Sequence, residues 1–270
     1  MLWVLLGILG VGIGVFGTLI GAAGGFLLVP LLLFLYPHES PATITSITLA
    51  VSFFNALSGT IAYARLKRVD FRSGIFFTAV GVPGALIGAG ITSFLSRGLF
   101  QIIFGVVLLV VSIYLLARPV RRFRREGSVT SGGVFRKMTD AENNVYTYSY
   151  NRPLGMTIAF VVGLVSGMLG IGGGIIHVPA LTQLLDFPTH IATATSHFVV
   201  ATTTLSALGL HIITGAFTSG IRRAAVLSLG AIVGAQFGAR LSQRVGRVLI
   251  VRLLALGLVI VALRLLIAPF

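Results

Sequence analysis

Two glycine clusters set inside apolar sequence carry the residue types in this chain that could do chemistry. One reads Gly170-Ile171-Gly172-Gly173-Gly174-Ile175-Ile176-His177-Val178-Pro179, and the other Gly21-Ala22-Ala23-Gly24-Gly25-Phe26-Leu27-Leu28-Val29-Pro30. A helix that begins in mid-membrane leaves its first N–H groups unbonded at the positive end of its dipole, which suits an oxyanion. Glycine lets such an anion approach the backbone closely. The candidate backbone donors are Gly24, Gly25, Gly172, Gly173 and Gly174, with hydroxyls added by Thr43, Thr45, Ser46, Thr193, Thr195 and Ser196. Asn55 lies inside a span and is a further candidate, and His177 and His197 would favour an anion when protonated. Each has a plainer reading. The glycines allow helices to pack closely, the hydroxyls cap helices or bond back to their own backbone, and the histidines are polar core residues.

Other chemistries find little support. His177, His190 and His197 have no carboxylate or thiolate beside them, so no metal site and no cofactor are expected. No nucleophile, base and orienting group recur at useful spacing, which argues against an enzyme.

The surrounding sequence must then place these residues in a bilayer. Of 270 residues, 56% are hydrophobic and only 10% charged, with mean hydropathy +1.03, far from the soluble norm. The apolar runs last for helical lengths and lack the alternation of membrane strands. The fold class expected is therefore an all-α, multi-pass integral membrane protein. The net charge of +14 would suggest nucleic acid in a soluble protein, but here the basic residues crowd the ends of apolar runs, as positive-inside topology requires. Nucleic-acid binding is not expected. With zero cysteines, disulfides and thiolate chemistry are excluded. Met1-Leu2-Trp3-Val4 has no basic region and no cleavage site follows, so no removed signal peptide is expected.

The apolar spans are predicted at 3–20, 43–64, 74–95, 99–117, 154–169, 192–214, 224–241 and 248–267. Short proline-bearing helices at 26–36 and 175–185 follow the two glycine breaks. Thr43, Thr45 and Ser46 stand where an N-cap would sit. Glu39 and Asp186 fall at membrane-edge turns, and Asp70 sits among Arg65, Lys67, Arg68 and Arg72, so these acids read as orienting charges. Gln236 either contacts substrate or bridges helices. Residues 118–152 form a basic linker with Arg118, Arg121, Arg122, Arg124, Arg125, Arg136, Lys137 and Arg152, which places it in the cytoplasm. The Arg118 to Arg125 cluster also suits anionic membrane lipid. Within the linker, 134–139 and 145–150 are rich in β-branched and aromatic residues and predict a β-hairpin.

The chain is an internal duplication. Thr43-Ile44-Thr45-Ser46 matches Thr193-Ala194-Thr195-Ser196, and Gly84-Ala85-Leu86-Ile87-Gly88-Ala89 matches Gly234-Ala235-Gln236-Phe237-Gly238-Ala239, at one offset. This gives a first transmembrane repeat at 1–117, the linker at 118–152 and a second repeat at 153–270. Five elements per repeat, about ten in all, require inverted halves; four spans each, eight in all, require parallel ones. Inversion is favoured by one charge, since it puts Arg240, Arg244 and Arg247 inside and only Arg222 and Arg223 outside. Paired breaks in two repeats point to a transporter's binding site.

These motifs resemble the TauE/SafE sulfite exporter family of membrane anion transporters, over nearly the whole chain except the linker. The resemblance rests on Gly170 to Pro179, on the Ala-Thr-x-Thr-Ser pattern at 42–46 and 192–196, on Arg68-Val69-Asp70-Phe71-Arg72 and on Pro83 to Ala89. It implies movement of sulfite or a small organosulfonate such as sulfoacetate across the plasma membrane of a prokaryote, commonly as export. The first repeat departs from the pattern, with Gly21-Ala22-Ala23-Gly24-Gly25 in place of a triple glycine, and His177 and His197 answer to Leu28 and Ile47. Coupled uptake of the same anions, and a non-transporting membrane scaffold, are the competing functions. The oligomeric state, monomer or homodimer, is open at this level.

Overall fold

The computed structural model describes residues 2–117, 133–242 and 247–267. The Arg118 to Arg125 cluster and Arg244 lie outside the described residues. The element order is α1 (Leu2–Ile20), α2 (Gly25–Leu35), α3 (Pro41–Arg65), α4 (Phe71–Thr92), α5 (Arg97–Ala117), β1 (Val134–Thr139), β2 (Val145–Tyr150), α6 (Arg152–Leu169), α7 (Gly174–Leu184), α8 (Thr189–Ile213), a 3-10 turn at Thr218–Gly220, α9 (Ile221–Leu241) and α10 (Arg247–Ile267). Among the described residues seven helices are long and apolar enough to cross a membrane, while α2 and α7 are shorter apolar helices. This is an all-α membrane protein. At 1.5 Å per residue the 11 residues of α2 or α7 reach roughly half a bilayer core.

The hairpin at 134–139 and 145–150 forms as an antiparallel pair, from Val134 opposite Tyr150 to Thr139 opposite Val145. Its turn is held by Asp140, whose carboxylate accepts the N–H groups of Glu142 and Asn144 at 2.9 Å each. The hairpin marks one end of the bundle. There the Ala141 N–H donates to the Leu66 carbonyl at 3.0 Å, and the Phe187 ring packs on Tyr148 and Tyr150. At the far end Arg97 donates to the carbonyls of Leu33 and Glu39 at 2.8 and 2.6 Å, and Arg223 pairs with Glu39 at 2.7 Å.

The most extensive packing joins the segments before and after the linker rather than neighbours within either one. It pairs α4 with α6, α1 with α9, α3 with α8 and α5 with α10. Small residues make this possible. Gly10 and Gly14 of α1 lie against the backbone of Leu227 and Ala231 of α9, and Gly84 and Gly88 of α4 against Phe160 and Leu164 of α6. In both pairs residue numbers rise together along the contact, so the two helices run in the same direction.

One sequence expectation is corrected. Thr43, Thr45 and Ser46 are inside α3, and the N-cap is Ser40, whose hydroxyl accepts the Thr43 N–H at 3.1 Å. Pro41 tolerates the first helical position because it has no N–H to leave unbonded there, so the helix begins two residues before the threonine run.

Candidate functional site

The two glycine breaks meet. Gly24 and Gly173, which cap α2 and α7, are left-handed at φ 81° and 70°, a region that side chains other than glycine enter at a cost of roughly 1–2 kcal/mol. This reversal turns each short helix back toward the other break. A methyl group on Gly25 would lie 2.5 Å from the Gly170 carbonyl oxygen, and one on Gly174 would strike the Gly21 carbonyl. The N-termini of α2 and α7 are thereby held side by side in the interior. Among the described backbone bonds, the N–H groups of Gly24, Gly25 and Phe26 have no acceptor, nor do those of Ile171, Gly172, Gly173 and Ile175. The Gly174 N–H, expected from sequence to be free, instead donates to the Gly172 carbonyl at 2.8 Å, because the chain turns tightly into α7.

Buried polar side chains gather at this junction. Ser52 Oγ faces Gly172, Ser166 Oγ faces Gly173, and the Asn55 amide nitrogen faces the backbone at Gly17, beside Gly24. The Thr45 backbone lies against Gly170. The hydroxyls of Thr45, Ser52 and Ser166, Asn55 Nδ2 and His177 Nε2 are all buried without a hydrogen-bond partner. Native interiors satisfy the large majority of such groups, and each one left alone costs about 1–3 kcal/mol. The His177 Nδ1 lies 3.4 Å from Ser196 Oγ, and its ring stands edge-on to Phe77 at 5.9 Å. Asn55 keeps one partner, accepting from the Thr18 hydroxyl at 2.8 Å.

Comparison with known proteins gives this junction its family. Residues 6–265 match the family described as Sulfite exporter TauE/SafE. The chain belongs to the TauE/SafE family. A relative from Bacillus subtilis (strain 168), called "Probable membrane transporter protein YunE", is 34% identical over 257 residues, covering 92% of this chain and 89% of its own. "Probable membrane transporter protein MJ0441" of Methanocaldococcus jannaschii is 24% identical over 209 residues, covering 76% and 70%. A "Probable membrane transporter protein" of Xylella fastidiosa (strain 9a5c) is 26% identical over 246 residues, covering 86% and 84%. No solved structure matches the chain.

In this TauE/SafE protein not every residue picked from sequence reaches the junction. Thr43 shares a hydrogen bond with Ser40, and Ser46 donates to the Thr43 carbonyl at 2.7 Å, both toward the far end. Thr193 donates to the Thr189 carbonyl, although its methyl lies against Gly21. Thr195 accepts the Asp70 N–H at 3.0 Å and so serves the start of α4. His197 packs on Gly59 and on the Tyr63 ring, with Nδ1 3.0 Å from the Thr193 carbonyl, between α3 and α8. Gln236 bridges helices, donating to Ser58 of α3. Ser52 and Ser166 were missed. Ser52 had a signal, since Thr45, Thr48, Ser52 and Asn55 fall on one face of a 3.6-residue helix. Ser166 had none beyond its place just ahead of the second break.

Proposed function

We propose that this chain carries sulfite or a small organosulfonate across the plasma membrane of a prokaryote, holding the anion between the starts of α2 and α7. The observation that carries this reading is the convergence of unbonded backbone N–H groups with five buried, unpartnered polar groups from α3, α6 and α7. The amides of Gly24, Gly25, Gly172 and Gly173 supply backbone donors, and Thr45, Ser52, Asn55, Ser166 and His177 supply side-chain contacts. Ser196 acts through His177. A sulfonate or sulfite head presents three oxygens and matches a set of fixed donors at two helix N-termini. Binding and translocation account for these groups without any catalytic step.

The two halves are inverted. Supporting this, α1 starts at the far end beside the start of α9 and ends where Tyr63 bonds the Thr18 carbonyl, whereas α6 starts at the hairpin end beside α4. The hairpin end is cytoplasmic, in keeping with Arg65, Lys67, Arg68 and Arg72 in its α3–α4 turn. Export is the direction that needs no coupling ion, because each negative charge leaving an inside-negative cell gains roughly 2.3 kcal/mol per 100 mV. The transport cycle alternates access to this one site.

Thermal unfolding of the purified protein with sulfite, thiosulfate, sulfate, sulfoacetate, taurine, phosphate and chloride tests the reading. At one hundred times its Kd a ligand adds about 2.7 kcal/mol to stability. Sulfite or a sulfonate stabilises the parent, and Gly173→Ala and Ser166→Ala blunt the effect. If no anion stabilises the parent, or both variants respond as the parent does, the site assignment fails.

A further inference from the structure

We infer that the β1–β2 hairpin is a clasp that holds the hairpin-end mouth of the transport route shut and must release from the α3–α4 turn during each cycle. The inference rests on the proposed site at the glycine junction.

The hairpin grips both halves at once. On the first half, Arg136 pairs with Asp70 through two hydrogen bonds of 2.6 and 3.0 Å, and the Tyr148 hydroxyl donates to the same carboxylate at 2.7 Å. Tyr150 donates to Ser73 Oγ at 2.8 Å, and Arg68 pairs with Asp140 at 3.1 Å. On the second half, the Phe187 ring, in the α7–α8 turn, sits 4.5 Å from Tyr148 and 5.0 Å from Tyr150. The Asp70 N–H adds a tie to Thr195 of α8.

Directly beneath lies Phe77, fully buried, 5.7 Å from the Tyr150 ring, 6.1 Å from Phe187 and 5.9 Å from the His177 ring. One aromatic ring therefore separates the hairpin from a residue of the junction. Opening this end requires the two turns to part, and the hairpin spans them. The bonding chemistry suits a part that reopens. A buried ion pair gains little net free energy over its hydrated partners, so water that reaches Asp70 and Arg136 as this end opens offsets much of what the pair loses, as a working switch requires.

The chain has no cysteine, so introduced thiols report alone. Ala192, fully buried in the same cluster as Phe77 and Phe187, becomes the reporter Ala192→Cys. It is labelled with a membrane-impermeant maleimide in vesicles that expose the hairpin end. Arg136→Gln and Tyr148→Phe each raise the labelling rate at least tenfold over the reporter alone, and Tyr148→Phe, which gives up one hydrogen bond rather than an ion pair, lowers the melting temperature less than Arg136→Gln does. Should Arg136→Gln fail to fold, Tyr148→Phe decides. In a second arm, Lys67→Cys and Ala141→Cys are bridged by a short bismaleimide, which stops sulfite flux while sulfite still raises the melting temperature. Labelling within twofold of the reporter in Tyr148→Phe, or full flux in the bridged protein, overturns the clasp. A parent that sulfite does not stabilise overturns the site instead, and the labelling rates still judge the hairpin.

Discussion

Gly25→Ala tests whether the two breaks touch as tightly as the geometry requires. Gly25 is helical, so the added methyl meets no backbone strain of its own, and its cost is steric. The methyl would lie 2.5 Å from the Gly170 carbonyl oxygen and 2.7 Å from that of Ile171, both backbone atoms that cannot rotate away. Relief requires the two break segments to separate, and overpacking of this kind costs about 1–3 kcal/mol. For a chain of this size that is roughly 2–12 °C in melting temperature. Gly174→Ala presses on Gly21 from the other side of the same contact. Once one methyl has parted the segments the second costs less, so the double variant falls short of the sum of the singles. Gly12→Ala is the control: its methyl would meet nothing within 4 Å, and helix propensity alone stabilises it by about 0.5–1 kcal/mol. The assay is thermal unfolding in detergent with and without sulfite. Gly25→Ala loses both melting temperature and sulfite stabilisation, while Gly12→Ala loses neither. A Gly25→Ala protein that melts and responds as the parent does would falsify the close contact.

Three further outcomes follow from the same geometry. Ser166→Ala removes a buried hydroxyl that has no partner, so the melting temperature without ligand holds or rises, while the apparent Kd for sulfite weakens by roughly 5–10-fold, the worth of one hydrogen bond. Asp70→Asn keeps an N-cap for α4 but breaks the pair with Arg136; the cost is about 3 kcal/mol, at the low end for a buried pair because Arg136 retains some solvent contact, and is read by thermal unfolding. Acid loosens the hairpin. Burial raises the Asp140 carboxyl, but Asn144, Arg68 and the Glu142 N–H outweigh it and hold it down at about 2. Burial likewise raises Asp70, and Arg136, Ser73 and Tyr148 bring it below its usual 3.8. Both acids have folded values below their unfolded ones, so their stabilisation is complete above about pH 4 and is lost as pH falls toward the folded values. Hydrogen-exchange protection at Ala141 and Asn144 should therefore drop between about pH 4 and 2, and protection that persists at pH 2 refutes the linkage.

The apolar periods and glycine breaks made every helix legible, to within a few residues at the ends. The hairpin was legible too, because Val145-Tyr146-Thr147-Tyr148-Ser149-Tyr150 has strand composition in a helical protein. Its docking was not. Arg68, Asp70 and Arg136 read as topology charges, yet Asp70 is 1% exposed and Arg68 5%. Their partners are remote in sequence, and no local pattern announces a pair of that kind. The hydroxyl candidates split for a related reason. A threonine's residue type says that it can bond an anion, but whether a nearby carbonyl or N–H has already taken it depends on packing. Thus Thr45 is left without a partner while Thr195, its match in the second repeat, is committed to the start of α4.

The pairing of α1 with α9 also bears on how the protein is made. Gly10 and Gly14 expose bare backbone meant for Leu227 and Ala231, and those residues leave the ribosome roughly 200 codons later, on the order of 10–40 s at ordinary translation speeds. Until then the first helix waits in lipid with its contact face uncovered, so the order of synthesis leaves final assembly to the last helices to emerge.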